Sequence, residues 1–214
     1  MEKKIKFLPF EIIKKETEWI YSKFNEIVIS SRVRLARNIK GYPFPYNMTY
    51  QESKKVEKFL INIFLKAPFN KIYIIDVSSL KNTQKKFLVE RHLISKEFSE
   101  NSISCKSIFI PEKKLTIMIN EEDHLRIQSV YPGLNLKNCF KSVNEIDDLI
   151  EEKIEYAFLP NIGYLASCLT NTGTGLRASV LINIPGIKFF KKDKIIFNMI
   201  EKIGITIRGF YGEG

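Results

Sequence analysis

The chain is poor in cysteine, histidine and tryptophan: its 214 residues include three, two and one of them. Cys105, Cys139 and Cys168 are odd in number and widely spaced, which argues against a disulfide framework or a zinc-ligand spacing and fits a reducing cytosol. His92 and His124 alone do not make a metal site. No apolar run approaches the roughly 18 to 20 residues that span a bilayer. Met1–Phe10 is basic but has no long apolar core or small-residue cleavage site, so it does not read as a signal peptide. Internal repeats, low-complexity tracts and Pro/Ser-rich linkers are also missing, and a single domain is expected. What is present is a globular composition, 44% hydrophobic and 27% charged, in a chain long enough for a sizeable core.

Positive charge is plentiful but unevenly made. The net charge is +10, and the 34 cationic residues divide into 27 Lys and only seven Arg: Arg32, Arg34, Arg37, Arg91, Arg126, Arg177 and Arg208. The Lys are scattered through amphipathic segments as solvated faces, with no aromatic-interleaved basic patch, so nucleic-acid binding is not expected. A chain that prefers Lys so strongly points to its Arg as positions where a planar fork is needed. The guanidinium grips carboxylate or phosphate with two hydrogen bonds, whereas Lys offers a point charge.

Periodicity predicts a short amphipathic helix over 9–22, a strand over 26–33 and a break at the Gly-Tyr-Pro-Phe-Pro of 41–45. Thr49 and Glu52 have capping-box spacing and open a helix over 50–66. A strand over 71–76 and a helix over 81–94 follow, then short strands over 107–110, 115–120 and 125–130. Residues 135–158 form the longest helical pattern. A turn near Gly163, a Gly- and Thr-rich loop over 168–175, a strand over 177–184, a helix over 190–203 and a last strand over 205–210 complete the chain. Strands come in runs rather than in βαβ alternation. An α+β fold is therefore expected: a mostly antiparallel sheet flanked by helices, placed on one face.

Four segments are polar where their flanks are apolar, and together they hold every arginine but Arg91, five of them besides Arg37. They are SSRVRLAR (30–37), NEEDHLR (120–126), SCLTNTGTGLRAS (167–179) and IRGFYGEG (207–214). Arg32 and Arg34, two apart on a strand, project from one face as a double clamp. Taken alone, NEEDHLR reads either as an exposed β-turn or as a cation or guanidinium site built from Glu121 and Glu122, with Arg126 facing an anion nearby. Gly173 and Gly175 allow backbone N–H groups to approach an anion. The loop lacks GxxxxGK[ST], and no HRD or DFG set occurs, which excludes a P-loop and a protein-kinase site.

In this order and spacing, NEEDHLR, C-x-T-N-x-G-T and RGxxGE resemble the guanidino kinases, the ATP:guanido phosphotransferase or phosphagen kinase family, over about residues 26–214. YPFP, VERHLIS and GTGLRAS, and the shortness of the segment before the first Arg pair, are most similar to its bacterial protein-arginine kinase branch. The resemblance implies a guanidino kinase catalytic domain at 26–214 after an N-terminal helical segment at 1–25. It implies that Arg32, Arg34, Arg126, Arg177 and Arg208 bind the nucleotide phosphates, with His92 beside the adenine. It makes Glu122 the catalytic base with Glu121 beside it, Cys168 the active-site cysteine and Glu213 a second substrate carboxylate on a mobile loop. Asp123 would lie near Mg²⁺ through water, with no direct metal ligand from the protein; Arg37 and Arg91 are left as structural. Leu169 and Thr172 stand where the family commonly has Pro and an aliphatic residue.

The implied cofactors are ATP and Mg²⁺, and the implied reaction transfers the γ-phosphoryl group of ATP to arginine side chains of proteins. A kinase of free arginine or another small guanidino compound is the alternative on the same fold. A non-catalytic fragment that binds nucleotide or arginine is the alternative of a different class. The family continues past the GEG loop, so the chain is expected to be C-terminally truncated and to lack the usual dimerisation domain, although a homodimer remains compatible. The branch further implies a cytoplasmic setting in the stress response, an activator protein and a Clp protease system as partners, and no membrane association.

Overall fold

Thr49 and Glu52 show how local chemistry starts an element. Thr49 Oγ1 accepts from Glu52 N at 3.3 Å, and the Glu52 carboxylate accepts from Thr49 N at 2.8 Å, closing a capping box. In the computed structural model, which describes residues 27–100 and 105–209, the helix so capped is Tyr50–Lys66 (α1). Val56, Leu60 and Phe64, four residues apart, form its fully buried stripe.

The strands are β1 (Val28–Arg37), β2 (Tyr73–Asp76), β3 (Lys106–Ile110), β4 (Leu115–Ile119), β5 (Leu125–Pro132), the short pair β6 (Phe158–Leu159) and β7 (Gly163–Tyr164), and β8 (Leu176–Ile182). The further helices are α2 (Asn82–Glu90), α3 (Lys96–Glu100), α4 (Leu136–Glu151), α5 (Pro185–Phe189) and α6 (Asp193–Lys202). Six strands make one sheet in the order β2-β3-β4-β5-β1-β8, and every neighbouring pair is antiparallel. The expected α+β architecture is what forms.

The alternation of β1 divides the sheet into two faces. Val33 and Leu35 point into the main core with Ile117, Ile119, Leu125 and Ile127 from the neighbouring strands. That face is covered by α1 and by α4, whose Cys139, Val143, Ile146 and Ile150 repeat at helical spacing. Each such fully buried aliphatic side chain contributes about 1.5–3 kcal/mol. The opposite face is mixed. Over β2, β3 and β4 it is apolar, with Ile75, Phe109 and Met118 packed against Leu88, Leu93 and Phe98 of the α2–α3 region. Over β5, β1 and β8 it carries arginine. Helices therefore cover both faces rather than the one expected, because the apolar half of the second face also has to be screened from water.

Several boundaries differ from the sequence reading for local reasons. The helix expected over 81–94 ends at Glu90; His92 takes φ 52°, Leu93 N bonds back to Leu88 O, and the separate α3 follows. The pattern over 135–158 stops as a helix at Glu151, one residue shorter than α1. Ile154 and Tyr156 are buried two apart, an extended alternation, and Tyr156 bridges to Ile39. The last strand does not form over residues 205–209, which follow a left-handed Gly204 (φ 83°) and make no ladder. The 9–22 helix lies outside the described residues, as does Glu213. No helix among the described residues is long and apolar enough to cross a membrane.

Candidate active site

Strand register assembles the cationic part of the site. Arg34 of β1 stands opposite Gln128 on β5 and opposite Arg177 on β8. Arg32 is opposite Val130 and Ser179, and Ala36 is opposite Arg126. Directly opposed residues of antiparallel strands share a face, so Arg32, Arg34, Arg126 and Arg177 project together. The pair two apart in sequence becomes a four-membered cluster across three strands.

The cluster is electrostatically strained. Burial, then the charges of Arg32, Arg126 and Arg177, push Arg34 down to about 9, with Glu121 acting in the opposite sense. Burial, then Arg126 and Arg177, also lower Arg32. Among the described residues, Arg126 alone of the four forms ion pairs, with Glu121 and with Glu122 at 3.4 Å. A polyanion on this face would relieve the mutual repulsion of the other three. Arg208 lies outside the ladder, in the exposed segment after α6.

His92 joins the same face from the turn after α2. Gln128 Nε2 donates to His92 O at 2.7 Å and to Leu93 O at 3.1 Å, stapling that turn onto β5 beside Arg34. Burial and then the Arg32 charge push the imidazole down to about 4, so it is neutral at pH 7.

The acidic residues sit on the turn between β4 and β5. Glu121 is held inside: it accepts from Arg126 and from Ser95 Oγ at 2.7 Å, and only 5% of its side chain is exposed. Glu122 is the open carboxylate, 41% exposed, with Asn171 Nδ2 at 3.4 Å. Burial raises its pKa most, opposed by Arg126 and Arg177 and assisted by Asp123 and Glu121. Asp123 is buried, and its Oδ1 accepts from Asn38 Nδ2 at 2.6 Å and from Ser167 N at 2.7 Å.

Ser167 ties the cysteine loop to this turn. Its hydroxyl donates to Glu122 O at 2.7 Å, so Cys168, the next residue, is delivered beside Glu122. Cys168 Sγ lies 3.0 Å from Thr170 Oγ1. The glycines of the loop serve packing. Gly173 N donates to Tyr164 O at 3.0 Å, which corrects the expectation that this amide faces an anion. At Gly175 (φ 64°) a Cβ would lie 2.5 Å from Arg37 Nη1, a distance no side chain tolerates.

Arg37, left aside as structural, anchors this loop from below. Its guanidinium donates to both Asp147 oxygens on α4 and, through Nη1, to Thr174 O at 2.9 Å. It lies 3.6 Å from the Tyr164 ring centroid. The site therefore gathers Arg32, Arg34, Arg126, Arg177, His92, Glu121, Glu122, Asp123 and Cys168. Asn38, Ser95 and Gln128 carry no sequence signal beyond a polar side chain in or beside an apolar run, whereas Ser167 and Asn171 lie in the 167–179 segment without a role of their own there.

His124 is a satisfied structural residue. Nδ1 accepts from Ile39 N at 2.9 Å, which places the proton on Nε2, 2.9 Å from Pro43 O. Burial pushes its pKa down from 6.5 to about 4. The unfolded chain takes up this proton near 6.5, whereas the folded chain resists it down to about 4. Stability is thus fully present above pH 6.5 and falls as pH drops toward 4, by up to about 1.4 kcal/mol per pH unit for each such histidine. Denaturant midpoints at about pH 7.5 and 5.5 check this; a flat profile would contradict the neutral His124.

The model for "ATP:guanido phosphotransferase, C-terminal catalytic domain" matches residues 53–214. A protein-arginine kinase of Bacillus cereus (strain B4264) is 42% identical over 193 residues, covering 89% of this chain and 54% of that protein. One from Clostridium novyi (strain NT) is 44% identical over 191 residues, 88% of this chain and 56% of that protein. The chain thus spans about half the length of the curated relatives it matches. Among solved structures, the duplicated taurocyamine kinase of Schistosoma mansoni with bound transition state analog components superposes with a TM-score of 0.80 at 27% identity, over 90% of this chain and 28% of that one. A lombricine kinase gives 0.71 at 27% identity, over 89% of this chain and 56% of that one. The matched model covers most of the chain, and the chain belongs to the ATP:guanido phosphotransferase family through its C-terminal catalytic domain.

Proposed function

We propose that residues 26–214 form the catalytic domain of a protein-arginine kinase, following a separate N-terminal segment at 1–25. The observation that carries the reading is the juxtaposition of four convergent arginines with the open carboxylate of Glu122. Arg32, Arg34, Arg126 and Arg177 hold the triphosphate of ATP, His92 borders the base, and Arg208 closes on the phosphates from the segment after α6. A phosphoryl group in flight spreads negative charge over its oxygens, and fixed guanidinium groups stabilise it without reorganising. Mg²⁺, when bound, neutralises charge shared between the phosphates. Glu121 is committed to Arg126 and Ser95, and Asp123 Oδ1 to Asn38 and Ser167, so these carboxylates would not hold the ion directly and Asp123 would act on it only through water.

The substrate guanidinium lies against Glu122 and Cys168, and Glu213 is assigned as the second substrate carboxylate on the resemblance alone. One of its nitrogens forms a bond to the γ-phosphorus while the bond from that phosphorus to the ADP oxygen breaks. A free guanidinium holds its proton to above about pH 12, so the proton leaves only as nitrogen bonds phosphorus, and it passes to Glu122. Burial and the neighbouring Asp123 and Glu121 raise the basicity of that carboxylate. A cytoplasmic setting, an activator protein and a Clp protease system belong to the same proposal.

Offering γ-labelled ATP with free arginine and with an arginine-containing polypeptide in parallel tests the substrate class. Acid-labile label on the polypeptide alone is the expected result. Label on free arginine alone would make the chain a small-guanidino kinase, and nucleotide binding without label on either would make it a binding fragment.

A further inference from the structure

We propose that Asn38 is a positioning residue that sets the distance between the carboxylate of Glu122 and the loop carrying Cys168; this rests on the kinase reading above. Asn38 follows the last residue of β1, is 1% exposed, and lies just outside the registered pairs of the arginine ladder. Its side-chain amide is fully used. Nδ2 donates to Asp123 Oδ1 at 2.6 Å and to Leu165 O at 3.1 Å, while Oδ1 accepts from His124 N at 2.9 Å. Its backbone carbonyl also accepts from Ala157 N at 2.8 Å.

These bonds connect three segments that are far apart in sequence. The turn bearing Glu122 is gripped at Asp123 and His124, on either side of the Asp123 peptide. The segment leading to Cys168 is gripped at Leu165. The Asp123 oxygen that accepts from Asn38 also accepts from Ser167 N, and Ser167 Oγ returns to Glu122 O. The chain from 165 to 168 therefore has no direct hold on β1 through this amide except at Leu165, and its register against Glu122 is defined by Asn38 and Asp123 together with the Ser167 hydroxyl bond to Glu122 O. An amide is required: it supplies two donors and one acceptor from one planar group. Aspartate would remove both donors and set a carboxylate against Asp123 Oδ1, while serine offers a single donor on a shorter stem.

The effect should fall on turnover rather than on nucleotide binding. Arg32, Arg34, Arg126 and Arg177 are placed by the β5-β1-β8 ladder, which does not depend on the Asn38 side chain. Glu122 and Cys168 are placed by the network, and a displacement of about 1 Å between reacting groups costs on the order of 10²-fold.

The test uses the full chain with Asn38→Asp and, as a milder variant that keeps a donor, Asn38→Ser. The control is Ile150→Val, in the core on the other face of the sheet. Each is assayed for phosphoryl transfer and for ATP KM at a temperature where unfolding curves show it folded. The expected result is a fall in kcat of about 10²-fold for Asn38→Asp, a smaller fall for Asn38→Ser, ATP KM within about threefold of wild type, and unchanged kcat in the control. A second readout needs no activity. Cys105 and Cys139 are fully buried, so alkylation by iodoacetamide reports on Cys168. Its rate should rise at least about threefold when Asn38 no longer holds the loop. Unchanged kcat and unchanged alkylation in folded variants would overturn the proposal, as would a parallel loss of kcat in the control. A wild-type chain without transfer activity would count against the kinase reading alone, and the alkylation rates would still decide the role of Asn38.

Discussion

Glu122→Gln is expected to lower phosphoryl transfer by about 10²–10⁴-fold while leaving ATP affinity within a few-fold of wild type. Glutamine keeps the size of the side chain and can still accept from Asn171 and Arg126 but takes away the site proposed to receive the guanidinium proton. Glu121 cannot take over. Its carboxylate is buried and engaged by Arg126 and Ser95, so it orients an arginine rather than facing the substrate. The same logic sets a pH dependence. Glu122 has to be deprotonated to act, and its pKa lies above the usual carboxylate value chiefly through burial. The acid limb of kcat/KM should therefore lie above the ordinary glutamate range and vanish in the Glu122→Gln variant. Turnover within threefold of wild type in that variant would remove Glu122 from the role of base.

The second large effect concerns stability. Asp147→Ala, or Arg37→Met, is expected to destabilise the fold by about 3–5 kcal/mol, because each leaves a charge buried without its partner. The two side chains are 4% and 7% exposed. Arg37 donates from Nε and Nη2 to Asp147 and from Nη1 to Ala36 O and Thr174 O, so losing it also frees the loop that precedes Arg177. Burial raises the Asp147 pKa in spite of Arg37, which shows that desolvation is the larger influence on this carboxylate. Combining Arg37→Met with Asp147→Leu should recover a large part of the loss, since an apolar pair of similar volume often replaces a buried ion pair without net cost. Chemical denaturation of the single and double variants measures this; a cost below about 1 kcal/mol for Asp147→Ala would contradict the anchor.

What the amino-acid sequence disclosed depends on how local the cause was. The α1 cap needs only Thr49 and Glu52, three residues apart, and it formed as read. Arg32 and Arg34 share a face because strand alternation is local, but only register reveals that Arg177 and Arg126 join them. The error over 135–158 came from apolar spacing that changes from helical to extended within a few residues. Isolated windows blur that change, whereas the bridge from Tyr156 to Ile39 fixes it. The expected strand over 205–210 had β-branched residues but no partner among the described strands, and strand propensity without a ladder is weak. At the site, the motif arginines and carboxylates stood out by composition. Asn38 did not, because one asparagine in a sequence rich in them carries no signal until its three hydrogen-bonded partners come together. Gly173 stood out for the wrong reason, and Gly175 has a packing role that the sequence does not show. Both read as an anion cradle, but Gly173 N is taken by Tyr164 O, and Gly175 makes room for Arg37.

The central claim is that the arginine face and Glu122 together move a phosphoryl group onto a guanidino nitrogen. The measurement that reaches it most directly is the identity of the bond formed when the chain is mixed with MgATP and an arginine-containing polypeptide. Phosphorus NMR and mass spectrometry of the product should show phosphoarginine, a P–N bond, in amounts equal to the ADP released. Label found only as inorganic phosphate, or on hydroxyl side chains, would contradict the account.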